Sequence, residues 1–350
     1  MKTTEQFLKK ENLADFLATL PYPPFFGTII TDENVTYENI SSEQLDRIAL
    51  DAAPPVESVK GFFFPAKECV AVYPQASADD SWLETNGTQT IVGARACDLA
   101  ALKVLDKVFL EGEVADPFYQ KRRQNTFIIT TECVVPAKYC FCNLLGGLPY
   151  AELDFDVNLA PISSGFLVGA ASEKGQDWLD RNKSILGTTS EKQQEERKRN
   201  REKAIETLRN QNINFEKPID SQKKDKDQIF AEVLKDASMC VECGACSYIC
   251  PTCHCFLLFD HRGDANSTSF IREKSWDSCI LANFAKMAGV NGMKPTPRPE
   301  LRHRFENRIR HKFEWMIENL NVVGCVGCGR CEAACMGGSD IRKVVRELEL

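Results

Sequence analysis

Residues 240–251 read CVECGACSYICP and residues 325–336 read CVGCGRCEAACM. Both stretches have the cysteine spacing C-x2-C-x2-C-x3-C, which is typical of bacterial ferredoxins that bind two [4Fe–4S] clusters. A cubane needs one thiolate for each iron. Three cysteines on a tight loop surround one cluster, and the fourth ligates the other cluster. The spacing therefore predicts two cubanes that exchange their fourth ligand.

This exchange assigns four cysteines to each cluster. Cluster 1 is predicted to be held by Cys240, Cys243, Cys246 and Cys335. Cluster 2 is predicted to be held by Cys325, Cys328, Cys331 and Cys250. Met336 stands where a proline usually follows the run, but this change removes no ligand. Zinc is disfavoured because its structural sites use pairs of cysteines rather than two runs of four.

Composition indicates the compartment of the protein and the classes of partner that are disfavoured. The chain has 350 residues, sixteen of them cysteine, and a net charge of −7. Residues 1–17 have no apolar core, so no secretory leader is expected. In a reducing compartment so many cysteines indicate metal ligands rather than disulfides. No apolar run approaches the ~20 residues of a membrane span. We predict a cytoplasmic protein with no membrane span, and the acidic charge disfavours a nucleic-acid partner.

The chain divides into three predicted parts of an α+β fold. Residues 1–175 are predicted to form an α/β domain with a cluster site, residues 176–235 a charged helical linker, and residues 236–350 a helical dicluster ferredoxin-like domain. The linker prediction depends on residues 191–212, which are crowded with Glu, Lys, Arg and Gln. Further predicted elements are a helix over 4–19, strands at 27–31, 35–40, 61–64 and 69–73, and helices over 277–288 and 299–320.

A third cluster is predicted from a β-α-β pattern. Strands at Thr88–Ala94 and Asn125–Thr130 flank a helix capped by Asp98, so the two strands are expected to be parallel neighbours. Cys97 and Cys133 follow these strands, and open α/β sheets bind ligands at that edge. With the following C-x-C pair, the predicted ligands of cluster 3 are Cys97, Cys133, Cys140 and Cys142. The alternative is that these thiols are buried small hydrophobes.

Other motifs leave their function open. Four cysteines either pack against the clusters or form a further metal site with His254; they are Cys69, Cys253, Cys255 and Cys279. A basic segment is interpreted either as a docking face for an acidic partner or as a solvated helix face. It contains Arg298, Arg302, Arg304, Arg308, Arg310 and Lys312. Neither a dinucleotide-binding fingerprint nor a P-loop is present, so no cofactor beyond the clusters and no catalytic residue is predicted.

Several segments together resemble a known family. They are ESVKGFFFP (57–65), GARACDLAALKVLDKVF (93–109), DPFYQKRR (116–123), CVVPAKYCFCN (133–143), CPTCHCF (250–256), WDSC (276–279) and CVGCGRCEAAC (325–335). The order and the cysteine spacing resemble the beta subunit of cytoplasmic sulfhydrogenases and the corresponding dicluster electron-transfer subunit of anaerobic sulfite reductases. Ala96 and Met336 stand where that family tends to have proline. The resemblance also supports iron binding by the N-terminal cysteines.

The resemblance implies an electron relay. Such a protein passes electrons between a flavin subunit that uses NAD(P)H or ferredoxin and a catalytic subunit. That catalytic partner is a hydrogenase, a sulfite reductase or a heterodisulfide-reductase-like module. We predict a non-catalytic electron-transfer subunit of this kind. The alternatives are a catalytic reductase with a substrate site in the N-terminal domain, and a zinc-binding scaffold without a redox function.

Overall fold

The N-terminal half of the chain forms an eight-stranded sheet. In the computed structural model the chain is described over residues 5–32, 34–73, 87–216, 226–263, 268–287, 289 and 294–347. The strands are β1 Gln6–Lys9, β2 Phe25–Thr31, β3 Asn34–Asn39, β5 Gln89–Ala94, β6 Thr126–Thr131, β7 Val157–Ile162, β8 Gly165–Ala170 and β9 Gly187–Thr188. Their order is β3-β2-β5-β6-β7-β8-β1-β9. Strands β2, β5, β6 and β7 are parallel neighbours, whereas the other pairs are antiparallel.

The predicted β-α-β unit is confirmed. Helix α3 (Ala96–Phe109) connects the parallel strands β5 and β6, and its apolar face is buried in the core. The helix begins earlier than predicted, so Asp98 is not its cap. Arg95 is the N-cap, and Asp98 in the first turn accepts a hydrogen bond from the Arg95 backbone N–H at 3.1 Å. This hydrogen bond fixes the chain where β5 ends and α3 begins.

A second, three-stranded sheet joins the two halves of the chain. Strand β4 (Lys67–Tyr73) comes from the N-terminal half, and β10 (Phe256–Arg262) and β11 (Phe270–Trp276) lie between the two cysteine runs. The order is β10-β11-β4, and both pairs are antiparallel. The N-terminal half and the cysteine-rich half therefore share backbone hydrogen bonds.

The other main elements of the described chain are helices. They are α1 Leu13–Leu17, α2 Lys60–Phe63, α4 Pro117–Asn125, α5 Glu173–Arg181, α6 Glu191–Asn212, α7 Lys226–Val233, α8 Ala245–Tyr248, α9 Leu301–Arg310, α10 Met316–Leu320, α11 Arg330–Ala333 and α12 Ile341–Glu347. A π-helical turn (His311–Trp315) joins α9 to α10, which agrees with the helix predicted over 299–320. Within the described residues, no helix combines the length and apolarity that a membrane span requires.

Three predicted elements are wrong. Residues 6–9 of the predicted N-terminal helix form β1 instead, because pairing with β8 outweighs the helical periodicity of the sequence. Residues 60–63 form the helical turn α2 rather than a strand, since a short apolar run does not distinguish the two. The predicted helix 277–288 is absent over its described residues 277–287, which form turns, while Ala288 lies outside the described residues.

The charged helix α6 is anchored on the large sheet by one buried carboxylate. Glu132, just after β6, is 3% exposed and accepts hydrogen bonds from Arg197, Arg201 and Asn158. The Arg201 contact measures 2.7 Å. The linker predicted over 176–235 thus includes a helix that is bonded to the sheet, and the predicted domain boundaries stay a prediction.

Removing this carboxylate is expected to release α6. Glu132→Ala leaves Arg197 without its buried partner, and we expect a loss of about 3 kcal/mol in the free energy of unfolding. Anaerobic urea titration, with limited proteolysis of residues 191–212, measures the effect. Glu202→Ala is the control, because Glu202 pairs with Lys198 at 4.0 Å on the exposed side of α6. Equal stability of the two variants would contradict the anchoring role.

Candidate metal centres

Three cavities in the described chain are lined by the cysteines of the three predicted clusters. The first cavity is lined by Cys240, Cys243, Cys246 and Cys335, and also by Cys331 and Arg308. The second cavity is lined by Cys250, Cys325, Cys328 and Cys331, with Arg308 and Lys312. The third cavity is lined by Cys97, Cys133, Cys140 and Cys142, with Arg95 and Cys328. Each predicted ligand set therefore surrounds one cavity.

The cavities are neighbours because they share lining residues. Cys331 and Arg308 line both the first and the second cavity. Cys328 lines both the second and the third. The second cavity therefore lies between the other two.

Glycine allows the loops of the second and third cavities to touch. Gly329 has φ +74°, and a Cβ there would lie 2.2 Å from the carbonyl oxygen of Tyr139. Gly327 is similarly tight, because its Cβ would lie 2.5 Å from Cα of Cys142. The Phe141 N–H donates to the Gly327 carbonyl at 2.7 Å. Only residues without a side chain permit this backbone contact between the C-x-C segment and the second cysteine run.

The third cavity lies at the edge of the large sheet that the sequence predicts. Cys97 is in the first turn of α3, which follows β5, and Cys133 comes two residues after β6. Burial raises the pKa of Cys133 and of Cys142 to about 12, so these thiols hold their protons when no cation is bound. Metal binding there must release protons, since the thiolate is the ligand.

A buried ion pair clamps the second cysteine run to helix α3. Arg330, between Cys328 and Cys331, contacts Asp98 at 2.8 Å, and both side chains are at most 5% exposed. Arg330 also donates to the carbonyl of Pro55 at 3.1 Å. The pair joins the loop of the second cavity to the helix that carries Cys97.

Three of the six residues in the basic segment lie differently from both sequence interpretations. Arg304, Arg308 and Lys312 are 3%, 5% and 3% exposed, so this stripe is neither a docking face nor solvated. Their spacing of four residues places them on the inner side of α9 and the π-helical turn. Arg302 remains exposed beside Glu300.

The four unassigned cysteines lie outside the three ligand sets. The Cys253 backbone N–H donates to the Cys250 carbonyl at 3.4 Å, and the Cys255 carbonyl accepts from the Asp277 N–H at 3.0 Å, two residues before Cys279. Cys69 is on β4 opposite Glu273. Burial lowers the pKa of His254 to about 4, so its ring is neutral. Among the described residues no three or more His, Cys, Asp or Glu side chains are close enough to bind a single metal ion.

The donor set and the charges around it fit cubanes. In a cubane each thiolate binds a different iron, so the thiolates stand further apart than ligands that share one ion. Lys312 and Arg308 are buried, and neither is paired with a carboxylate within the described part of the chain. A buried cation needs a nearby negative charge, and thiolate-ligated clusters supply it.

Comparison with known proteins agrees with this chemistry. Residues 239–339 match the family described as a 4Fe-4S dicluster domain. The chain is therefore an iron–sulfur protein of the electron-transfer class that carries [4Fe–4S] clusters. Over 325 residues, which are 92% of this chain and 91% of the relative, it is 29% identical to sulfhydrogenase 2 subunit beta of Pyrococcus furiosus. The predicted resemblance to sulfhydrogenase beta subunits is confirmed.

Proposed function

We propose that this chain is the electron-relay subunit of a multi-subunit oxidoreductase. It carries electrons between a flavin-containing subunit, which reacts with NAD(P)H or ferredoxin, and a catalytic subunit. The catalytic partner is a hydrogenase, a sulfite reductase or a heterodisulfide-reductase-like module. Each cluster, when bound, takes up or gives up one electron at a time. The chain itself contributes ligands, buried charges and docking surfaces, and no catalytic residue.

The proposal is carried by the row of three cysteine-lined cavities. Cluster 1 is assigned to Cys240, Cys243, Cys246 and Cys335. Cluster 2 is assigned to Cys325, Cys328, Cys331 and Cys250. Cluster 3 is assigned to Cys97, Cys133, Cys140 and Cys142. Because neighbouring cavities share lining residues, the three assigned sites form a continuous path through the chain.

Both ends of this path lie near the surface. At the first cavity Cys243 and Val241 are exposed, and Met336 is 80% exposed nearby in the second cysteine run. At the third cavity Leu148 is 40% exposed. A relay needs two accessible ends, one for each partner, and exposed apolar side chains are typical of surfaces that other proteins cover.

All sixteen cysteines are free of disulfides. This supports the cytoplasm as the compartment we propose, because thiols stay reduced there. It also leaves every thiol of the three sets available as a ligand.

The test is a redox experiment on the isolated, anaerobically purified chain. We expect dithionite to bleach its visible absorption and air-free reoxidation to restore it. We expect the isolated chain to turn over neither NAD(P)H nor a small acceptor. Reduction by NAD(P)H should require an added flavoprotein. Turnover by the isolated chain with an artificial donor would instead favour a catalytic reductase. A colourless protein that contains zinc would contradict both functions.

A further inference from the structure

The second cavity has a concentration of buried positive charge. The Lys312 ammonium donates to the Cys250 Sγ at 3.4 Å, to the Thr252 hydroxyl at 2.8 Å and to the Gly324 carbonyl at 2.7 Å. The side chain is 3% exposed. Lys312 is thus a buried basic side chain in direct contact with an assigned ligand of cluster 2.

Two further buried cations contact the backbone in and just after the first cysteine run, residues 240–250. Arg308 donates to the Cys246 carbonyl at 3.1 Å, while its Nε has no hydrogen-bond partner. Lys60, from helix α2 of the N-terminal half, donates to the carbonyls of Tyr248 and Cys253 at 2.9 and 3.3 Å. Its ammonium also lies 3.9 Å from the centre of the Trp276 ring. Carbonyls and rings orient these cations, but they do not neutralise them.

Arg308 lines the first cavity as well as the second, but the other cations near the first and third cavities are mostly paired with carboxylates. Near the first cavity Arg304 contacts Glu242 at 2.7 Å, and Asp340 contacts Arg342 at 2.7 Å. Near the third cavity Arg330 is paired with Asp98. Arg95 lines the third cavity and donates to four carbonyls. Within the described residues the second cavity is lined by two cations without a carboxylate partner, Arg308 and Lys312, whereas the first and the third are each lined by one.

We propose that Lys312, together with Arg308 and Lys60, makes cluster 2 the cluster of highest reduction potential in the chain. Reduction adds a negative charge to a cluster, and a buried uncompensated cation stabilises the reduced form. Lys312 is therefore a positioning and charge-tuning residue rather than a ligand. This inference rests on the proposed function, and it places the resting electron on the middle cluster of the path, away from both exposed ends.

The inference is tested by EPR-monitored redox titration of the iron-loaded full chain. Lys312→Gln keeps hydrogen-bond donors but removes the charge, and Lys312→Met removes both. We expect each to lower the highest midpoint potential, so that the ratio of reduced to oxidised cluster at that potential falls about tenfold, which is 59 mV for a one-electron couple. Arg302→Met is the matched control, because it removes an exposed charge from α9, the helix that leads into the π-helical turn of Lys312. It should leave every midpoint potential unchanged.

A second variant covers the case in which Lys312 substitutions lose iron. Lys60→Met removes a more distant cation, and we expect about a threefold change in the same ratio, in the same direction. An unchanged highest midpoint in Lys312→Gln, or in Lys60→Met if the former loses iron, would overturn the inference. Native protein without cubane EPR signals would instead overturn the proposed function, so the two failures are distinguishable.

Discussion

Replacing Cys97 and Cys133 by alanine is expected to lower the iron content from about twelve to about eight atoms per chain, since a cubane holds four irons. The two cysteines follow neighbouring parallel strands and line the third cavity with Cys140 and Cys142. Losing two of four ligands leaves too few thiolates to hold a cubane there. Iron analysis of anaerobically purified protein measures the change.

The matched control for this experiment is Cys69→Ala. Cys69 lies on β4 and lines none of the three cavities, so the iron content of this variant should equal that of the native chain. The EPR signals of the other two clusters should persist in the double variant, which shows that the dicluster domain has stayed folded. Iron that remains at about twelve would remove the third cluster from the account.

Breaking the buried Arg330–Asp98 pair is expected to be strongly destabilising. Arg330→Met leaves the Asp98 carboxylate, which is fully buried, without its cation. Loss of one partner of a buried pair costs about 3–5 kcal/mol. The side chain also joins the loop of the second cavity to helix α3, so we expect iron to be lost from clusters 2 and 3 before cluster 1. Anaerobic urea titration followed by iron release measures both effects.

A double variant separates charge from packing. Asp98→Asn keeps an oxygen that accepts the Arg95 backbone N–H, so Arg330→Met with Asp98→Asn should recover much of the lost stability. This recovery is expected because removing both charges leaves no unpaired ion in the interior. A double variant no more stable than Arg330→Met would show that the pair acts through shape alone.

Much of the fold was predictable because local signals were consistent. The β-α-β unit has a buried apolar strand, an apolar helix face and a second buried strand, and each agrees with the others. Residues 6–9 escaped prediction because they pair with β8, more than 150 residues away along the chain. Strand β11 was missed for the same reason, since its partner β4 precedes it by about 200 residues.

The grouping of the cysteines around three cavities was predictable, whereas the charges around those cavities were not. Cysteine spacing indicates which thiols share a loop, because a cubane fixes the distance between its ligands. The charges that surround those thiols come from distant segments, as Lys60 does from helix α2 and Asp98 from α3. In the sequence Lys60 is an ordinary basic residue beside an apolar run. Only the tertiary structure brings it against the first cysteine run.

The most direct test of the relay is the iron and acid-labile sulfide content of the anaerobically purified chain, with EPR of the reduced protein. The account predicts about twelve iron and twelve sulfide atoms per chain, and broadened signals from cubanes close enough for their spins to interact. Zinc in place of iron, or isolated cubane signals without interaction, would contradict a continuous path of clusters through this chain.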